Sequence, residues 1–136
     1  MPRKTDSHNP ADWLWIAERD LAALEAMAAQ ELGYELCRSK LAEVLEKIFK
    51  AELLRQGWVL EKTHDLRKLG GEVASRDPEL GEEIRPLVTA LAEAYFTARY
   101  PGFDFDDPEW ETVRAQVTAV AALLNLVQAR LGAGSP

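Results

Sequence analysis

Apolar positions recur three and four residues apart along most of the chain, the spacing that gathers them on one face of an α-helix. From Asn9-Pro10 onward, Leu14, Ala17, Leu21, Leu24 and Ala28 keep that spacing until Gly33. Asn9 offers a side-chain oxygen as N-cap, and Pro10 suits the first helical turn, where its missing N–H costs no bond. A second stripe of Cys37, Leu41, Val44, Ile48 and Ala51, widened by Leu45 and Phe49, predicts a helix over 34–56. Gly57 ends it in a left-handed cap. Thr63 is placed to cap a short third helix carrying Leu66, Leu69 and Val73, weakened by Gly70-Gly71 and ended by Asp77-Pro78. A fourth helix is expected over 85–99, with Leu87, Leu91, Tyr95 and Ala98 facing in, and residues 79–84 as a lead-in kinked at Pro86.

Asp107-Pro108 repeats the cap-plus-proline start, and Trp110, Val113, Val117, Val120, Leu124, Val127 and Leu131 carry the last helix to Gly132. No segment sustains a period of two, so no sheet is expected. The pattern predicts an all-α, up-and-down bundle of about five helices over residues 9–132, preceded by a flexible tail of residues 1–8. One cluster departs from simple amphipathicity. Trp13, Leu14, Trp15 and Ile16 are consecutive large apolar residues, which a helix spreads around its whole circumference. Part of that turn must look away from the core, and a subunit contact is the expected cover. Trp13, Trp15 and Ile16 are therefore the candidates for a homodimer interface.

Composition narrows the function classes. The 136 residues are 47% hydrophobic and 29% charged, enough for one core that folds unaided. With 23 acidic against 16 basic residues the net charge is -7, unsuited to gripping nucleic acid over the whole surface. Any RNA contact needs a local basic patch. Cys37 is the lone cysteine, so no intramolecular disulfide is expected and a reducing compartment suits the chain. Residues 1–6 lack the apolar run of a signal peptide, and no apolar stretch approaches bilayer length. A cytoplasmic protein with no membrane contact is the expectation.

Candidate chemistry is sparse. Glu43/Lys47 and Glu46/Lys50 stand at i, i+4 with the acid first, which as exposed pairs contribute about 0.2–0.5 kcal/mol each. They form either a solvated helix face or a set of cations for phosphate. Thr63, His64 and Asp65 make either a capped helix start or a ligand-facing corner, and His64 at a helix N-terminus suits a neutral, hydrogen-bonding role. Arg99 can hold a phosphate or carboxylate bidentately, or satisfy the last carbonyls of the fourth helix. Tyr95 and Tyr100 read as packing residues. Asp104 and Asp106 form a D-x-D in a loop without the strand such metal sites need, and Glu109 stands where an EF-hand requires glycine. No metal and no cofactor are expected, and Cys37 on the buried stripe should be inert.

Three motifs in order carry a family resemblance. Leu41-Ala42-Glu43-Val44-Leu45-Glu46-Lys47-Ile48-Phe49-Lys50-Ala51, followed by Gly57 and Lys62-Thr63-His64-Asp65-Leu66, resembles the HEPN domain family. Tyr95-Phe96-Thr97-Ala98-Arg99-Tyr100-Pro101 is similar to the aromatic-Arg-Tyr-Pro end of that family's fourth helix. The likeness extends over residues 10–131. It implies a helical bundle that dimerises, pairs with a small nucleotidyltransferase and binds nucleotide; many members are RNases in toxin–antitoxin or defence systems. Catalytic members carry an Arg a few residues ahead of a His on a core helix. At that spacing before His64 stand Gly57, Trp58 and Val59, none of them basic. Arg3-Lys4-Thr5-Asp6-Ser7-His8 satisfies the pattern literally, but in a tail that cannot hold productive geometry. The expectation is a non-catalytic module, with Lys47, Lys50, Lys62, His64, Arg99 and Tyr100 as nucleotide-binding candidates. The alternatives are a metal-independent RNase using His64 with Arg99 or Lys62 across a dimer groove, and a protein–protein module working through exposed tryptophans.

Overall fold

Asn9 starts the first helix as its spacing predicts: its side-chain oxygen accepts the Ala11 N–H at 3.0 Å, with Pro10 in the first turn. The computed structural model describes residues 7–94 and 108–133, arranged as α1 (Pro10–Ala29), α2 (Tyr34–Arg55), α3 (Leu66–Arg76), α4 (Pro78–Leu91) and α5 (Trp110–Ala133). No strand occurs among the described residues. Tyr95, Phe96, Arg99, Tyr100 and the acidic stretch 104–107 lie outside them, as do Arg3 to Asp6. Ser7, assigned to the tail by its polarity, is tied to α1. Its hydroxyl donates to the Asp12 carboxylate at 2.6 Å and its carbonyl accepts the Trp13 indole N–H at 2.9 Å.

The long stripe of α2 makes it the central element, packed on by α1, α3, α4 and α5. Leu41, Val44, Leu45, Ile48, Phe49, Ala51 and Leu53 are wholly buried. Gly33 precedes α2 with φ +65° and Gly57 follows it with φ +89°, both left-handed conformations that a side chain would strain. α5 lies antiparallel to α1. Arg114 near its start reaches the Ala28 carbonyl and Glu31, whereas Gln128 near its end meets Glu18.

The middle of the chain differs from its sequence reading. Asp65, not Thr63, caps α3, accepting the Lys68 N–H at 3.1 Å. Thr63 instead accepts the Asp65 N–H at 3.1 Å and bends the approach to the helix. α4 begins at Pro78, well ahead of residue 85, because Asp77 is itself a cap that accepts the Leu80 N–H at 3.1 Å. Pro86 therefore falls inside α4. Both Pro86 and Glu82 are exposed, so the carbonyl left without an N–H lies on the wet side of the helix. Gly70 and Gly81 do not merely weaken their helices. They let α3 and α4 approach closely, with Val88 against Gly70 and Ala74 against Gly81.

One carboxylate stands inside this core. Glu52 on α2 is 1% exposed, and Arg55 holds both of its oxygens, at 3.0 and 2.8 Å. Gln56 donates to it at 2.7 Å and Arg130 of α5 at 3.0 Å. The second Arg130 nitrogen reaches Asp77 at 2.9 Å, so one guanidinium joins α2, α5 and the α3–α4 junction. Burial alone would raise the Glu52 pKa, but the bonds from Arg55 and Gln56 with the charges of Arg55 and Arg130 outweigh it, and the carboxyl titrates below its ordinary range. The Leu80 N–H, foremost, and Arg130 lower Asp77 likewise.

Candidate functional site

Glu46 and Lys50 sit one turn apart on α2, and pattern alone makes them a solvated pair. They are instead buried, at 4% and 3% exposure, with Lys50 Nζ donating to Glu46 Oε2 at 3.0 Å. Two neighbours bring this about. Trp13 of α1 covers Lys50, its ring centroid 5.1 Å from the ammonium, a cation–π contact. The connector after α2, anchored by buried Trp58, carries His64 over Glu46, with Nδ1 at 3.1 and 3.3 Å from the two carboxylate oxygens.

A carboxylate only accepts, so the hydrogen between these groups is on Nδ1 and, in the neutral ring, Nε2 is the acceptor. The imidazole side chain is 63% exposed above a carboxylate that is 5% exposed. Lys50, Glu46 and His64 thus form a chain running from the interior to the surface. The buried charges neutralise one another, and the group offered outward is an imidazole of fixed orientation.

The candidates divide accordingly. Lys50 is not a surface cation for phosphate, since its ammonium is held between Glu46 and Trp13. Lys47, on the same stretch of α2, is half-buried, and its expected partner Glu43 pairs with Lys40 at 3.0 Å. Lys62 is exposed on the connector two residues before His64. Arg99 and Tyr100 lie outside the described residues. Of the interface candidates, Trp13 is 4% exposed and belongs to its own core, because the Ser7 carbonyl and Lys50 satisfy it there. Ile16 is half-buried, while Trp15 remains 58% exposed.

Glu46 as the group that orients His64 was not foreseen. The two residues are 18 apart and no local period links them. Cys37 is 1% exposed, its thiol donates to the Leu32 carbonyl at 3.4 Å, and burial raises its pKa, all of which suit an unreactive packing residue. Among the described residues no cluster of three or more His, Cys, Asp or Glu is placed to hold a metal, and no helix is long and apolar enough to cross a membrane. A family model described as HEPN domain matches residues 10–129. No curated protein and no solved structure matches the chain.

Proposed function

The chain belongs to the HEPN domain family, and from that premise we propose that it is a non-catalytic, homodimeric module that binds a nucleotide and partners a small nucleotidyltransferase. The observation that carries this reading is the neighbourhood of His64. Where catalytic members need an arginine, the connector holds Gly57, Trp58 and Val59, and the group facing Nδ1 is a carboxylate. A carboxylate repels phosphate oxygens, so the side of the ring turned away from Glu46 is the one a nucleotide would approach, with Lys47 and Lys62 as the candidate cations. Calorimetric titration with ATP tests it. Heat of binding is expected, with Lys47→Ala or His64→Ala weakening affinity by about tenfold, or about 1.4 kcal/mol. Absence of heat with ATP and the other nucleoside triphosphates removes the nucleotide half of the reading.

One feature favours a second reading. A buried carboxylate that fixes the tautomer of an exposed imidazole is also the arrangement by which a histidine serves as general base. On that reading the chain is a metal-independent RNase. Incubation with end-labelled RNA in EDTA separates the two: intact RNA is expected, and cleavage that disappears in His64→Ala would reverse the ranking.

A further inference from the structure

α4 packs on α3 and α2, and α5 on α1 and α2, while α4 and α5 are scarcely in contact. An open groove of about 630 Å³ lies between them. Its α4 wall is built by Leu80, Ile84 and Leu87, and its α5 wall by Ala115, Ala119, Ala122 and Leu126. From Leu80 to Ala90 it runs for about 15 Å at the rise of a helix, or about three turns. The alanines recur four and three apart and are exposed, so another helix can lie close along that side of α5. Leu80 and Ile84 are 4% and 3% exposed and close the groove from below. A helix supplies the large apolar side chains this space accepts along a single stripe, with its backbone groups already paired. An extended segment would bring unpaired N–H and C=O groups against leucine and alanine.

The charge along the groove is uneven. Where α4 begins, it opens into a smaller cleft lined by Asp77, Glu79, Glu83 and Arg130. Arg130 is engaged there by Asp77 at 2.9 Å and Glu52 at 3.0 Å. Glu79 and Glu83 stand exposed one turn apart on α4, and neither meets a cation among the described residues. The other cations of these two helices are turned elsewhere, Arg85 to Glu82 and Arg114 to Glu31. Like charges at that spacing destabilise a helix. The helix dipole favours Glu79 in the first turn of α4, but Glu83 lies beyond its reach. A cation brought from outside would relieve both.

We infer that the α4–α5 groove docks an amphipathic helix of a partner protein, apolar along one stripe and carrying lysine or arginine at the end that lies over Glu79 and Glu83. Its leucine-sized side chains fill the space above Leu80 and Ile84, and its backbone runs beside Ala119 and Ala122. His64 is no part of the groove, so the inference goes beyond the nucleotide reading and stands without it.

Fluorescence anisotropy on the full chain tests it with a labelled synthetic peptide. The probe is a helix of about four turns with leucines on one stripe and a pair of lysines, made with the lysines at either terminus. Saturable binding is expected, at least about tenfold weaker when glutamates replace the lysines, and absent when the same leucines are dispersed around the helix. Joint Glu79→Lys and Glu83→Lys substitution should reverse the preference between the lysine and glutamate peptides. Ala119→Arg should lose the peptide with an unchanged circular-dichroism spectrum, since the residue is exposed in the bundle. His64→Ala should bind the peptide as wild type does, which separates this result from any loss of nucleotide binding. Lysine peptides that fail to saturate by about 1 mM, or that bind Ala119→Arg as they bind wild type, would overturn the inference. So would light scattering in which wild type is dimeric and Ala119→Arg monomeric, because a second copy would then occupy the groove.

Discussion

Replacing Glu52 with alanine should destabilise the fold by about 1.5–3 kcal/mol, the scale of hydrogen bonds lost from a charged group. The reason is the company Glu52 keeps. Two guanidinium groups, Arg55 and Arg130, point at a carboxylate that is 1% exposed, and Gln56 donates to the same oxygen. Without it Arg55 and Arg130, whose side chains are 25% and 31% exposed, lose the acceptor they share. The Arg130 bridge to Asp77 then joins α5 to the α3–α4 junction with no carboxylate from α2 beneath it. A domain of ordinary stability holds about 5–15 kcal/mol in all, so the variant should unfold at much lower urea. Urea titration by circular dichroism measures the difference. Glu52→Ala within about 1 kcal/mol of wild type would mean the network adds little beyond what water supplies.

The same network sets the expected acid limit. Glu52 and Asp77 both titrate below the ordinary carboxylate range in the folded protein. Their stabilisation is therefore complete above that range and is lost as pH falls through the depressed folded values. Glu52→Gln, which cannot titrate, should flatten the fall in urea midpoint between about pH 5 and pH 2 relative to wild type. Parallel curves for the two proteins would assign the acid transition to other carboxyls.

The helices that the stripe of apolar residues predicted well are those whose burial follows one face. α1 and α2 start and stop close to their capping and breaking residues because Asn9, Gly33 and Gly57 act locally, whereas α5 runs through the expected stop at Gly132 to Ala133. α3 and α4 were harder to read, since glycine and proline signal breaks in an isolated helix and close packing in a bundle. Gly81 belongs to the second kind, and only the position of Ala74 reveals it. At the site, the pair Glu46 and Lys50 looked solvated because nothing local foretells that Trp13 and His64 will cover them. Glu52 was legible in principle. It follows Leu41, Leu45 and Ile48 on the same helical face, and a charge on a buried stripe demands a partner. The partner Arg130, from the far end of the chain, was not.

Two substitutions of glycine by alanine should move stability in opposite directions. Gly71 lies on the exposed side of α3, and a methyl group there meets nothing within 4 Å. Gly71→Ala removes chain freedom from the unfolded state and should stabilise by up to about 1 kcal/mol. Gly81 in α4 gains the same propensity from alanine, but its methyl would stand 2.5 Å from the Ala74 Cβ and 2.8 Å from the Ala74 Cα. The second of these is backbone, which no rotamer change can move aside. α3 and α4 must separate, loosening Val73 and Ile84, which are 0% and 3% exposed. Overpacking of this kind costs about 1–3 kcal/mol, more than propensity returns. Because the propensity gain is common to both, the difference in unfolding free energy between the two variants should be the overpacking cost, about 1–3 kcal/mol, against near equality if glycine served only to weaken both helices. Equilibrium urea unfolding of both proteins under one set of conditions decides it. A Gly81→Ala variant as stable as Gly71→Ala would mean that α3 and α4 do not pack through Gly81.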